Sequence, residues 1–263
     1  MTLINPALVR EAWPDADFPF LIESVETCDS TNARLLARAA EDAPFVLVAD
    51  RQTAGRGRQG KAWESTPEGS LTFSLLWRFA PSRIGGLSLA IGLALLRALE
   101  RLGAKHLSLK WPNDLIFAPP GAESGKLAGI LIELASGADK TAVVIGIGLN
   151  LFPPQGFAAA GLADCLPAMP SRNRLLAEIL VDARQVLVVL EEHGFSALRE
   201  EWQARHAYQN CAVILQNAGN VEAGGICRGV DAEGALLLEM SGKLSRFFAG
   251  DLSMRPKPEE REP

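Results

Sequence analysis

Gln52-Thr53-Ala54-Gly55-Arg56-Gly57-Arg58-Gln59-Gly60-Lys61-Ala62-Trp63 stands between two apolar runs, residues 45–50 and 71–79. Both runs read as strands, so the segment between them is a loop at the end of a sheet. Its glycines alternate with arginines. Glycine lets backbone approach a ligand closely, and a guanidinium offers forked donors suited to carboxylate or phosphate. A mechanical match, Gly55 to Gly60-Lys61, suggests a phosphate-binding P-loop. That reading fails, because Ala62 stands where the magnesium-binding hydroxyl belongs. Pro67 and Gly69 also prevent a long helix from starting there. Two readings remain, a loop that covers a ligand and a solvated basic loop, and the alternation of glycine with arginine favours the first.

The pattern outward from this loop is mixed. A strand is predicted over residues 21–27, then Asp29-Ser30-Thr31-Asn32 supplies N-cap residues for a helix over 33–40, closed by Pro44. Leu71, Phe73, Leu75, Trp77 and Phe79 alternate with mostly polar neighbours, which predicts a half-buried strand. A buried helix over 84–102 ends at Gly103. Short strands at 107–110 and 115–117 flank Trp111-Pro112-Asn113-Asp114, and 118–125 is a loop. Residues 126–135 and 141–149 form a hairpin around the turn at 136–139. Helices follow at 171–192 and 195–206. Strands at 212–216, 225–230, 235–239 and 244–248 then predict a small all-β barrel. Without regular βαβ alternation the main unit is α+β. The divisions expected are a main domain over 1–206, a barrel over 207–255 and a disordered tail over 256–263.

Composition narrows the function. The 263 residues are 48% hydrophobic and 22% charged, and the net charge of −5 argues against nucleic acid as the main partner. Cys28, Cys165, Cys211 and Cys227 are scattered, as are His106, His193 and His206, so neither a zinc site nor a disulfide framework is expected. The thiols fit a reducing compartment. The first twenty or so residues lack an apolar signal core, and the most apolar stretch is too short and too charged at its end to span a membrane. The expected location is the cytoplasm.

Three further stretches carry chemistry. Lys110-Trp111-Pro112-Asn113-Asp114 sets a lysine at the end of an apolar strand, either snorkelling to solvent or aimed into an anion site. Lys126-Leu-Ala-Gly-Ile-Leu131 and Gly146-Ile-Gly-Leu-Asn150 place small residues in bulky strands, a mark of close approach by a ligand or of packing. Together with Ser30-Thr31-Asn32 and the Gly-Arg loop, these stretches, in this order over residues 30–150, resemble the catalytic core of the biotin–protein ligases.

That resemblance implies a class II synthetase-like catalytic domain with a mixed sheet and flanking helices, plus a small SH3-like barrel. It implies ATP, Mg²⁺ and biotin, with biotinyl-adenylate formed and then passed to a lysine of a biotin carboxyl carrier protein domain. Ser30, Thr31, Asn32 and Gln52 are expected around the ureido head of biotin, and Ser30 also reads as a helix cap. Two unit charges about 4 Å apart repel by about 4 kcal/mol at an effective dielectric near 20, so joining carboxylate to phosphate needs fixed cations. Lys110 is expected to bridge them, with Arg56, Gly57 and Arg58 closing over the product. Trp63 is expected against the adenine, Asn150 at its edge, and Lys61 beside the nucleotide, where the family often has arginine. Asp114 is open between a magnesium ligand and a turn cap. Residues 1–29 are acidic and proline-containing, so a winged helix is not expected before Ser30, nor DNA binding. A homodimer is left open. The nearest rival is a lipoate–protein ligase. A nucleic-acid-binding protein using Arg51, Arg56, Arg58 and Lys61 lacks the interleaved aromatics it would need.

Overall fold

The structure is a computed structural model that describes residues 4–14, 17–41, 44–80, 84–135, 141–154, 156 and 159–257. Its large sheet comprises β1 (Leu21–Cys28), β2 (Phe45–Gln52), β3 (Ser70–Phe79), β4 (Leu107–Lys110), β5 (Asp114–Phe117), β6 (Gly125–Ala135) and β7 (Thr141–Asn150). These run in the order β1-β2-β3-β7-β6-β5-β4. β1 and β2 are parallel and every other pair is antiparallel, so the sheet is mixed. The turn expected at 136–139 lies outside the described residues.

Helices cover both faces. α1 (Pro6–Glu11) packs on α4 (Arg172–His193), which packs on α3 (Leu87–Arg101), and α3 lies against the sheet. α3 is buried nearly all round, including Leu89, Ile91, Leu93, Leu95, Leu96 and Leu99, because it is sandwiched between sheet and α4. Across that helix pair Arg101 meets the buried carboxylate of Asp182. On the opposite face α2 (Thr31–Ala37) sets Leu35 against Leu47, Leu76 and Val144. This corrects the expectation of a half-buried β3. Leu71, Phe73 and Leu75 join the buried cluster that contains α3, while Ser74 and Leu76 on the other face are buried against α2 and Thr72 lines the cavity. The helix predicted over 195–206 is a 3₁₀ turn, Phe195–Ala197, followed by α5 (Arg199–Ala204).

The C-terminal part is a second, antiparallel sheet made of β8 (Ala212–Asn217), β9 (Asn220–Val230), β10 (Leu236–Met240), β11 (Lys243–Phe247) and β12 (Ser253–Pro256), ordered β11-β10-β9-β8-β12. β12 takes Pro256 out of the expected tail, whose residues 258–263 lie outside the described residues. Pro256 pairs with Val213 and Arg255 with Ile214, while Met254 is buried completely. Val213, Leu215, Leu236 and Leu238 join the same buried cluster as the large sheet. Leu109 of β4 donates to the carbonyl of Arg205 and accepts from Ala207, so the connecting chain runs along the edge of the large sheet. No helix among the described residues is long and apolar enough to cross a membrane.

Leu187 of α4 is fully buried in this cluster. Leu187→Ala is expected to lower the unfolding free energy by about 2–5 kcal/mol through lost transfer energy and the cavity left behind. Urea unfolding would show a lower midpoint at an unchanged slope.

Candidate active site

The cavity of about 630 Å³ brings together the segments that the sequence singled out. Its first wall is the junction of β1 and α2. Ser30, Thr31 and Asn32 are nearly fully buried there. Ser30 caps α2, its Oγ accepting from the Ala33 amide at 3.4 Å. The Gln52 side-chain oxygen accepts from the Thr31 amide at 2.7 Å and lies 3.1 Å from Thr31 Oγ1. That leaves the Gln52 amide hydrogens for a ligand. Behind this wall Ser74 Oγ lies 2.5 Å from Asn32 Oδ1 and 2.7 Å from Thr31 Oγ1. Asn32 in turn donates from Nδ2 to Glu133 at 2.8 Å and to the Leu131 carbonyl at 3.3 Å.

The floor explains the small residues. A Cβ on Gly146 would lie 2.3 Å from Asn32 Oδ1, and one on Gly148 would lie 2.2 Å from the Trp63 ring. Gly129, the cross-strand partner of Gly148, also faces that ring, with a Cβ 3.3 Å away. The glycines thus make room for two cavity side chains of the protein itself. Trp63 is half-buried there rather than a core residue.

The far end is electropositive. Lys110 ends β4 and Asp114 begins β5. The Asp114 carboxylate lies 2.6 Å from Lys126 Nζ and 3.9 Å from Lys110 Nζ. Burial draws the Lys110 ammonium down to about 8, and the positive charges of Arg255, Lys126 and Lys61 act in the same direction against Asp114. Among the described residues no three histidine, cysteine, aspartate or glutamate side chains cluster as metal ligands. Asp114 is paired with Lys126 and lies near Lys110. Trp111 beside Lys110 is core, its indole donating to the Gly234 carbonyl at 3.2 Å.

The Gly-Arg loop folds as a flap. The Gly57 amide donates to the Lys61 carbonyl at 2.7 Å and the Trp63 amide to that of Gly55 at 2.9 Å. Arg56, Gly57 and Arg58 line the cavity, but both guanidiniums hold protein partners. Arg56 pairs with Glu133. Arg58 donates to Asn113 Oδ1 at 3.0 Å and to the carbonyls of Ala249, Gly250 and Leu252. Burial lowers its pKa, with Asp114 and Asp251 opposing. Asn150 spends both amide hydrogens on the carbonyls of Lys126 and Ala160, each at 3.2 Å, which leaves its oxygen as an acceptor. Sequence reasoning missed Ser74, Glu133 and Arg255, and quoted Lys126 only as part of a strand. A lysine at the edge of an apolar run, closing it at Lys110 and opening it at Lys126, was the available signal for Lys126.

A family model described as the biotin/lipoate A/B protein ligase family matches residues 24–150. The bifunctional ligase/repressor BirA of Escherichia coli is 36% identical over 239 residues, which span 86% of this chain and 72% of that protein. The biotin–[acetyl-CoA-carboxylase] ligase of Mycobacterium tuberculosis is 35% identical over 243 residues, 88% of each chain. The chain belongs to the biotin–protein ligase family. Its fold matches the biotin protein ligase of Aquifex aeolicus, solved in complex with biotin and ATP, with a TM-score of 0.76 at 28% identity over 92% of this chain and 100% of that one. The family's motifs, read in order along the sequence, therefore converge on one cavity.

Lys110 is a liability to the fold. Its pKa is about 8 when folded and near the ordinary 10.5 when unfolded, so at pH 7 it is protonated in both states and the folded state bears the burial cost. That cost fades as pH rises from about 8 towards 10.5. Lys110→Met is expected to raise stability at pH 7 by about 1–3 kcal/mol, measured by urea unfolding.

Proposed function

We infer that the chain is an ATP-dependent biotin–protein ligase, which makes biotinyl-5′-AMP and transfers biotin to a lysine of an acceptor protein. The observation that carries this reading is the partly buried Lys110 ammonium, set among Lys61, Lys126 and Arg255 with Asp114 as counter-charge. It lies in one cavity with a wall of amides and hydroxyls. The family model spans lipoate ligases too, but the relatives at 35–36% identity are biotin ligases, which favours biotin over lipoate.

The polar wall suits a ureido head. The free hydrogens of Gln52 can donate to the ureido oxygen, and Thr31, Ser30 and the Asn32 oxygen can accept from its N–H groups. Leaving such groups unpaired costs about 1–3 kcal/mol each, so the wall discriminates against plain fatty acids. The valeryl arm then runs across the glycine floor towards Lys110. A carboxylate oxygen attacks the α-phosphorus of ATP, forming the acyl–O–P bond as the bond from that phosphorus to the pyrophosphate oxygen breaks. Lys110 holds the two anions together, and Lys126, Lys61 and Arg255 stabilise the charge that spreads over phosphate and leaving group. The adenine is proposed to rest on Trp63, with its amino group donating to the Asn150 oxygen. Next the acceptor lysine, as free amine, attacks the acyl carbon; AMP departs and the amine proton passes to solvent or base. Positioning supplies much of the rate, since no protein nucleophile is needed. Magnesium is proposed to arrive with ATP on the triphosphate rather than on Asp114.

The acceptor is proposed to be a biotin carboxyl carrier protein domain. The working compartment is proposed to be the cytoplasm, where the four thiols, all unpaired, would stay reduced. Arg58 ties the flap to the C-terminal sheet, so its proposed role is to keep the cover shut over the adenylate.

Lys110→Ala is expected to slow biotin-dependent ATP–pyrophosphate exchange by about a hundredfold or more in a folded protein. Near-normal exchange would refute the role. In the parent, kcat/KM for adenylation should fall as pH rises through about 8, because the cation is lost there. Lys110→Arg should move that descending limb to higher pH.

A further inference from the structure

Glu133 lies just outside the cavity yet touches two residues that line it. It extends from β6 beyond the last residue that β5 covers, since the β5–β6 ladder ends at Gly129. Its Oε2 accepts from Asn32 Nδ2 at 2.8 Å. Arg56 Nη2 lies 3.0 Å from each of its carboxylate oxygens. The Glu133 side chain is 24% exposed and that of Arg56 46%, so the pair sits at the rim while the Asn32 contact runs inward. No other carboxylate pairs with Arg56 among the described residues.

Each contact has its own consequence. An ionised carboxylate only accepts hydrogen bonds, so it fixes the Asn32 amide with nitrogen turned away and oxygen turned to Ser74 and the cavity. The same charge clamps the flap, whose opposite shoulder is held by Arg58 on the carbonyls of Ala249, Gly250 and Leu252. The flap is thus pinned on both flanks.

We propose that Glu133 is a positioning residue that serves both halves of the site: it orients Asn32 as an acceptor for the ligand head and latches the flap through Arg56. This rests on the reading of the cavity as the site of biotinyl-adenylate formation. One carboxylate thereby links recognition of the head to retention of the activated product.

Two substitutions separate the roles. Glu133→Gln keeps an acceptor for Asn32 but loses the charge that holds Arg56. Glu133→Leu loses both. Steady-state pyrophosphate exchange would measure the KM for biotin, and single-turnover reactions with biotin and ATP the fraction of biotinyl-adenylate released to solvent. For Glu133→Gln the KM should stay within about twofold while release rises about threefold to fivefold, the effect of one partly exposed ion pair. Arg56→Gln should match that release, and the double variant should add nothing to it. Glu133→Leu should release as much and also raise the KM about fivefold or more, because the Asn32 amide would keep only its longer contact to the Leu131 carbonyl and lose its fixed orientation. The latch is overturned if Glu133→Gln releases no more than the parent, or if the double variant is additive. The orienting role is overturned if Glu133→Leu keeps the parental KM. A parent protein that makes no adenylate would instead defeat the functional reading itself. A role confined to stability would lower the melting temperature of all variants without dividing KM from release.

Discussion

Four cations, Lys61, Lys110, Lys126 and Arg255, act together at one end of the cavity, and Asp114 is the carboxylate that answers them. Without a ligand the arrangement is uphill, since like charges repel and the Lys110 ammonium has lost most of its water. It persists because each cation comes from a different rigid part. Lys110 ends β4, Lys126 lies near the start of β6, Arg255 sits in β12 and Lys61 closes the flap. The core beneath sets their spacing. On the proposed reading, two entering anions would offset the repulsion among the cations by their own attraction to them, with no reorganisation at the moment of reaction.

Such a cavity needs volume beside a sheet, where side chains normally fill the space. Gly146 and Gly148 are two apart on β7 and so share a face, and Gly129 lies opposite Gly148 across the ladder. The hollow they form is partly refilled by Asn32 and Trp63, each brought from a separate element. The glycines therefore define pockets for protein groups first. The surface they present to the cavity is the Asn32 amide and the Trp63 indole rather than bare backbone.

The fold was legible in the sequence where one periodicity dominated. The hairpin of β6 and β7, the buried α3 and the short strands after Ala207 all follow from alternation, caps and glycine turns. Alternation misled in β3, where Ser74 reads as the solvent side but is buried beneath α2; period two marks two faces and cannot say that both are covered. Lys110, Gln52 and Thr31 were legible because polar groups in apolar surroundings need partners. Arg255 was not, since a short strand near a proline-rich, charged end resembles a tail until β8 pairs with it. Glu133 alternates like any surface residue of a strand, and its meaning depends on Asn32, which is distant in sequence. For Arg56 and Arg58 the sequence supplied the charge and the reach. Which acceptor each would take was a property of the assembled walls.

The C-terminal sheet supports the cavity through its backbone. Carbonyls of Ala249, Gly250 and Leu252 accept from Arg58, the carbonyl of Asp251 accepts from Gln59, and the carbonyl of Gly234 accepts from Trp111. Main-chain acceptors carry no net charge, so they can fix a guanidinium without cancelling the positive field that the cavity needs. A carboxylate in their place would neutralise it. The sheet adds Arg255 to that field from the same side. The Arg58 shoulder of the flap is thus held by dipoles, while its Arg56 shoulder is held by the charge of Glu133, away from the cations that Asp114 answers. That arrangement also explains why a module with so little core of its own is packed into the main one.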